Sequence, residues 1–404
     1  MKKYQDTETG GIHEFEDGYD PLTANNRNIP RTLTVEIKPK PDDSHVWYQG
    51  GWIKQEDAPT GYTPPVSRVP AYNPAWMAYL RPYTAVYRTA SSGLSFTLDQ
   101  INANTYDGSK LAEVVATLPL GNSSDIPALI SYDGAIAIPQ CPDYPTNGEG
   151  TRKLNEVLCS FLIGGIYTEA VHSEDLVVGT LHEKTSLFSF SPSLHSSLRL
   201  NWAAPVDRRH LMFPRVLMLD DLQKAFAQGQ QVVSVLGRFS PLFLLSGFTA
   251  MTYRNNSDAL NNLWITVEQL TEHLWIEQYK RKKSELPAYV AKAHTKLSER
   301  IRHIASKQKL LCLSRIISKE CYRVLVRARK QRNALAHRGV VPDLQLIERL
   351  WGVLPELLET ASGVAPLGLR AISANGASVE RWYIPPRTDF SEWVDLAQAL
   401  APDA

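Results

Sequence analysis

Residues 329–339 read Arg329-Lys330-Gln331-Arg332-Asn333-Ala334-Leu335-Ala336-His337-Arg338-Gly339, a run that holds the residue types phosphodiester chemistry requires. On a helix, Asn333 and His337 are four apart and share a face. Arg332 and His337 are five apart, about 140° around the axis at 3.6 residues per turn, so they flank a groove rather than stack. His337 falls in the last turn before Gly339, at the negative end of the helix dipole. Cleavage of RNA by its own 2′-hydroxyl needs proton transfer at the attacking and leaving oxygens, and positive charge on the crowded phosphorane. An imidazole serves the first and a guanidinium the second, while Asn333 can orient the imidazole or a phosphate oxygen. One histidine is half of an acid–base pair. A two-fold dimer that brings two such helix ends together would supply the other half. The scheme calls for no metal and no cofactor.

The charge around this run supports a phosphate partner. The 404 residues carry 43 Lys and Arg against 42 Asp and Glu, a net charge of +1. That balance is a cancellation. Residues 280–338 hold 18 basic and three acidic residues, leaving 25 basic and 39 acidic elsewhere. A strongly basic helical segment joined to an acidic body is a footprint of nucleic-acid binding, because excess charge repels itself unless a counter-charge uses it. Within it, Arg327, Arg329, Lys330 and Arg338 are the candidate RNA-binding residues.

The elements that must position this run are helical. Leu263, Val267, Leu270 and Leu274 fall on one face of a helix. Residues 290–338 contain neither Pro nor Gly and read as two long helices, stopped by Gly339 and Pro342. Asp343 caps a further helix over 344–360, with Pro355 as a possible kink site. Upstream the pattern is mixed. Residues 1–30 are polar and aperiodic and read as a flexible arm. Residues 32–38 alternate as a strand, 46–48 and 52–54 form a hairpin whose Trp47, Tyr48 and Trp52 make either its core or a stacking platform for bases, and 85–88 and 94–98 read as strands. Asp133-Gly134 joins strands at 128–132 and 135–138. Helices are expected over 152–163 and 220–228, and the apolar stretch 232–251, interrupted by Arg238 and Pro241, reads as strand–turn–helix. The resulting fold class is α+β: a mixed, regulatory or sensor-like region over 31–250, in one or two subdomains, an all-α bundle over 251–362, and a tail over 363–404 that packs back on the body.

Several chemistries lack support. No GxSxG, Walker A or GxGxxG pattern occurs. Cys141, Cys159, Cys312 and Cys321 include no CxxC spacing, and His172 and His182 stand ten apart without the second histidine of HExxH. Four cysteines without a disulfide framework, and no apolar run behind the basic N-terminus, suit a reducing cytoplasm and no membrane span.

Arg332-Asn333-Ala334-Leu335-Ala336-His337 resembles the R-N-x-x-x-H form of the R-x4–6-H motif of the HEPN superfamily of ribonucleases. The likeness covers about residues 255–360. It implies an all-helical, usually dimeric domain that cuts RNA without metal, with catalytic roles for Arg332 and His337 and a supporting role for Asn333. It implies a polar or acidic residue on an upstream helix, for which Glu268 is the candidate. It also implies a toxin or antiphage (abortive-infection) effector, with a phage-derived or other trigger acting on the N-terminal region. The competing expectation is a non-catalytic HEPN-like module that binds nucleic acid or nucleotide and dimerises.

Overall fold

A computed structural model describes residues 73–372 apart from 90–92, 94–95, 183, 280–300 and 302. Ahead of them it describes residue 56 and the strands β1 (Lys2–Asp6), β2 (Ile12–Phe15), β3 (Leu33–Ile37), β4 (His45–Tyr48) and β5 (Gly51–Lys54). The chain divides into two compact units, Met1–Pro74 with Thr180–Lys184, and Ala75–Gly179 with Thr185–Ala404.

In the first unit, β1 lies between β2 and β3, antiparallel to both. The segment read as a loose arm therefore supplies two strands. Their composition hid them: Lys2–Asp6 carries one large apolar residue, and pairing on both edges satisfies the backbone instead. The hairpin β4–β5 forms as expected, with Trp47 opposite Trp52 in register.

In the second unit, Asp133-Gly134 closes the hairpin of β9 (Ala128–Ser131) and β10 (Ala135–Pro139), with Gly134 at φ 75 as such a turn requires. A six-stranded sheet runs β12–β11–β6–β10–β9–β8, with β6 at Pro74–Tyr79, β8 at Val114–Leu118, β11 at Val177–His182 and β12 at Ser186–Ser189. The pairs β6–β10, β10–β9 and β9–β8 are antiparallel. A separate parallel pair joins β7 (Thr84–Tyr87) to β13 (Arg215–Met218). The expected strand over 94–98 is corrected: Leu98 opens helix α1 (Leu98–Ala103), because Thr97 and Gln100 form a capping box.

Helix α2 (Asn147–Ile163) packs on β10, on α5 (Leu219–Val235) and on α6 (Pro241–Thr252), while α3 (Leu194–Arg199) and α4 (Pro205–Met212) pack on each other. Two glycines set the α2–α5 crossing. A Cβ on Gly229 would stand 2.1 Å from the Ser160 carbonyl oxygen, and one on Gly164 would stand 2.2 Å from that of Ala225. The stretch 232–251 is helix–turn–helix rather than strand–turn–helix. Val232 is buried on the last turns of α5, and α6 restarts at Pro241 in the first-turn position that tolerates proline.

Helix α7 (Asn256–Leu274) buries Leu263, Val267, Leu270 and Leu274, the expected stripe. After the undescribed stretch come α8 (Ile304–Leu313), α9 (Lys319–Arg338) and α10 (Leu344–Ser362), which continues through a buried Pro355. Residue 250 lies inside α6, and one apolar core runs from Ile130 and Ile136 of the sheet through Leu154 of α2 to Leu263, Leu325 and Leu354. Of the tail, the turn Gly368–Ala371 packs on α2 with Leu369 buried, and Trp382, Tyr383 and Trp393 lie outside the described residues. The architecture is α+β. Among the described residues, no helix is long and apolar enough to cross a membrane.

Candidate functional site

The site is built on α9. Ser318 caps its start, its hydroxyl accepting the Cys321 amide at 3.0 Å, and Gly339 ends it in the left-handed conformation at φ 66, its amide donating to Leu335 at 3.0 Å. No Gly or Pro interrupts the twenty residues between. Cys321, Val324, Leu325 and Ala328 form the buried stripe that holds the helix against α7, α8 and α10.

Continuing that stripe by one turn reaches Arg332, which is half-buried, with Ala334 buried and Leu335 packed on the core beyond it. His337 and Asn333 are exposed on the opposite side of the helix. Arg332 and His337 are thus about 140° apart around the axis, one turned toward the bundle and one toward solvent. Among the described residues, Arg332, Asn333 and His337 have no hydrogen-bond or ion-pair partner. A guanidinium drawn half out of water without a counter-charge is costly to hold, and an incoming anion relieves the cost.

The other cations differ among themselves. Arg327, Lys330 and Arg338 are exposed and unpaired among the described residues. Arg329 is half-buried and donates to Gln308 Oε1 at 3.4 Å. Over 303–338 the described residues hold ten Lys and Arg and one acid, Glu320.

Glu268 sits on α7, half-buried, and accepts from Trp264 Nε1 at 2.7 Å. Gln308 on α8 touches both Thr271 of α7 and Arg329 of α9, and Asn256 at the start of α7 reaches the Pro342 carbonyl beyond α9. The two helices therefore run antiparallel. Glu268, three residues before Thr271, lies level with Arg332, three residues after Arg329. No ion pair joins them; the carboxylate is held by its own helix instead.

The densest electrostatic cluster lies elsewhere, and sequence reasoning missed it. Asp133 is fully buried, and Arg199 donates Nε to its Oδ2 at 2.8 Å and Nη2 to its Oδ1 at 2.6 Å. The same guanidinium reaches the Leu187 carbonyl at 2.6 Å and Ser131 Oγ at 3.2 Å. Burial pulls the Asp133 carboxyl upward, but Arg199 outweighs it and holds the group below the usual carboxylate range. His195 is stacked on Tyr79 at 3.7 Å and on Tyr83 at 5.0 Å, and burial lowers its pKa to about 4. With these donors satisfied, the Asp133–Arg199 pair is a clamp between the β9–β10 turn and α3. Its members are 66 residues apart, and no local pattern signals them. Among the described residues, no group of three or more His, Cys, Asp or Glu could hold a metal ion, and all four cysteines are free.

Compared with family models, curated proteins and solved structures, the chain matches none.

Proposed function

We propose that this chain is a metal-independent endoribonuclease whose helical part is a HEPN-like bundle, with Arg332 and His337 as its catalytic pair. The observation that carries this reading is a half-buried Arg332, without a partner among the described residues, on a cationic helix that carries the exposed His337 in its last turn. The 2′-hydroxyl attacks the adjacent phosphorus, and an imidazole takes its proton. The 5′-oxygen leaves with a proton from a second imidazole, giving a 2′,3′-cyclic phosphate and a 5′-hydroxyl. A homodimer supplies the second imidazole, and Arg332 stabilises the phosphorane. Asn333 orients the reacting groups, and Glu268, level with Arg332, supports the site from α7. The biological setting that fits is a cytoplasmic toxin or antiphage effector, with the N-terminal strands and sheet receiving the trigger.

A second reading is favoured by the opposed faces of Arg332 and His337 and by the engagement of Glu268 with Trp264: a dimerising module that binds RNA without cutting it. Cleavage of RNA in EDTA by the wild type, Arg332→Ala and His337→Ala separates the two. The nuclease reading expects a loss of about 10²–10⁴-fold in each variant, as for removal of an acid–base or charge-stabilising group. Binding without cleavage by all three supports the module.

A further inference from the structure

Resting on the nuclease reading, we propose that the solvent face of α9 is a track for a single RNA strand, anchored beside Tyr322 and leading to His337. Lys319, Arg323, Arg327 and Lys330 are exposed, as are Asn333 and His337. At 100° per residue these six positions fall within a sector of about 120°. The cations follow one another at axial steps of roughly 6, 6 and 4.5 Å, and Lys319 to His337 spans about 27 Å at 1.5 Å per residue. Of the four, Arg323 is paired, to exposed Glu320 at 3.3 Å; the others have no partner among the described residues. The inward residue Arg332 stands off this line, so the track ends where the strand would pass from the ridge to the half-buried guanidinium.

The far end of the ridge is a shaped place rather than bare helix. A cleft of about 680 Å³ opens there, lined by Leu313, Arg315, Lys319, Tyr322 and Glu356 among others. Leu313 is 69% exposed, an uncovered apolar surface next to the half-buried Tyr322 ring and two cations. The Glu356 carboxylate does not compete for the strand, because it accepts the Ser318 amide at 2.6 Å and the Ser318 hydroxyl at 2.9 Å. An apolar and aromatic pocket with flanking cations takes an unstacked base and its phosphate. A duplex does not fit this surface. The A-form major groove is too narrow to admit a helix, and paired bases cannot reach Tyr322.

The test uses the full chain in EDTA and a 2′-O-methylated strand of about twelve nucleotides, which binds but cannot be cut, offered single or in duplex. Four phosphate contacts on a single strand give a slope of log affinity against log salt of about −3. Lys319→Gln and Lys330→Gln should each flatten it by about 0.7. Tyr322→Leu should weaken the single strand about tenfold with the slope unchanged, while Tyr322→Phe, which keeps the ring, should bind as wild type. Duplex affinity equal to that of the single strand, or a slope indifferent to the lysine variants, overturns the track. Cleavage of unmodified RNA that requires His337 but ignores Lys319, Lys330 and Tyr322 overturns the track and leaves the nuclease standing. Single-strand binding with these signatures but no cleavage does the reverse.

Discussion

Arg199 and Arg332 are both withdrawn from water on helices of the same unit, and their surroundings differ in kind. Arg199 meets a carboxylate through two donors, a carbonyl through a third and a hydroxyl besides, deep between the sheet and α3. Arg332 continues the buried stripe of α9 and finds no acceptor among the described residues. A guanidinium whose donors are spent holds elements together; one whose donors are idle at the rim of a core is available to a ligand. The two sites should therefore separate stability from activity.

The largest expected effect is on the clamp. Arg199→Ala leaves the Asp133 carboxylate buried and uncompensated and should lower unfolding stability by about 3–5 kcal/mol in denaturant titrations. Arg332→Ala should change that stability by less than about 1 kcal/mol while lowering cleavage by about 10²–10⁴-fold. A destabilisation by Arg332→Ala as large as that by Arg199→Ala would break the contrast. Next in size is the α2–α5 crossing: Gly229→Val forces a side chain against the Ser160 carbonyl and should cost about 2–4 kcal/mol, read as a lowered melting temperature.

The clamp should also carry a pH dependence. His195 has a pKa of about 4 when folded, below its ordinary value of 6.5, so the unfolded chain takes up the proton first. Its contribution is complete above pH 6.5 and is lost as pH falls toward 4, about 3 kcal/mol over that window. His195→Phe should flatten the stability profile between those values; an unchanged profile would place its acid sensitivity elsewhere. The smallest effect is expected at Glu268→Gln. It keeps an acceptor for Trp264 and should cost less than about 1 kcal/mol in stability. A large loss of cleavage in that variant would mark the carboxylate as part of the chemistry.

Local signals made some of this readable in the sequence. Asp133-Gly134 announced its hairpin, the leucine stripe announced α7, and Gly339 announced the end of α9. Even the inward position of Arg332 follows from counting on from Leu325 and Ala328. The strand β13 was invisible because its partner β7 lies about 130 residues earlier, and its pairing is parallel. The run 232–251 misled because an apolar stretch rich in Val and Leu suits a strand or a buried helix equally. Glu268 was a candidate only through the family resemblance, and its capture by Trp264 depended on the burial of that indole, which only packing reveals.

The end groups of the RNA products test the central claim most directly. Wild-type protein in EDTA should leave 2′,3′-cyclic phosphates and 5′-hydroxyls, and Arg332→Ala and His337→Ala, folded to wild-type stability, should leave intact RNA. Products with 3′-hydroxyl and 5′-phosphate ends, or undiminished cleavage by both variants, would contradict it.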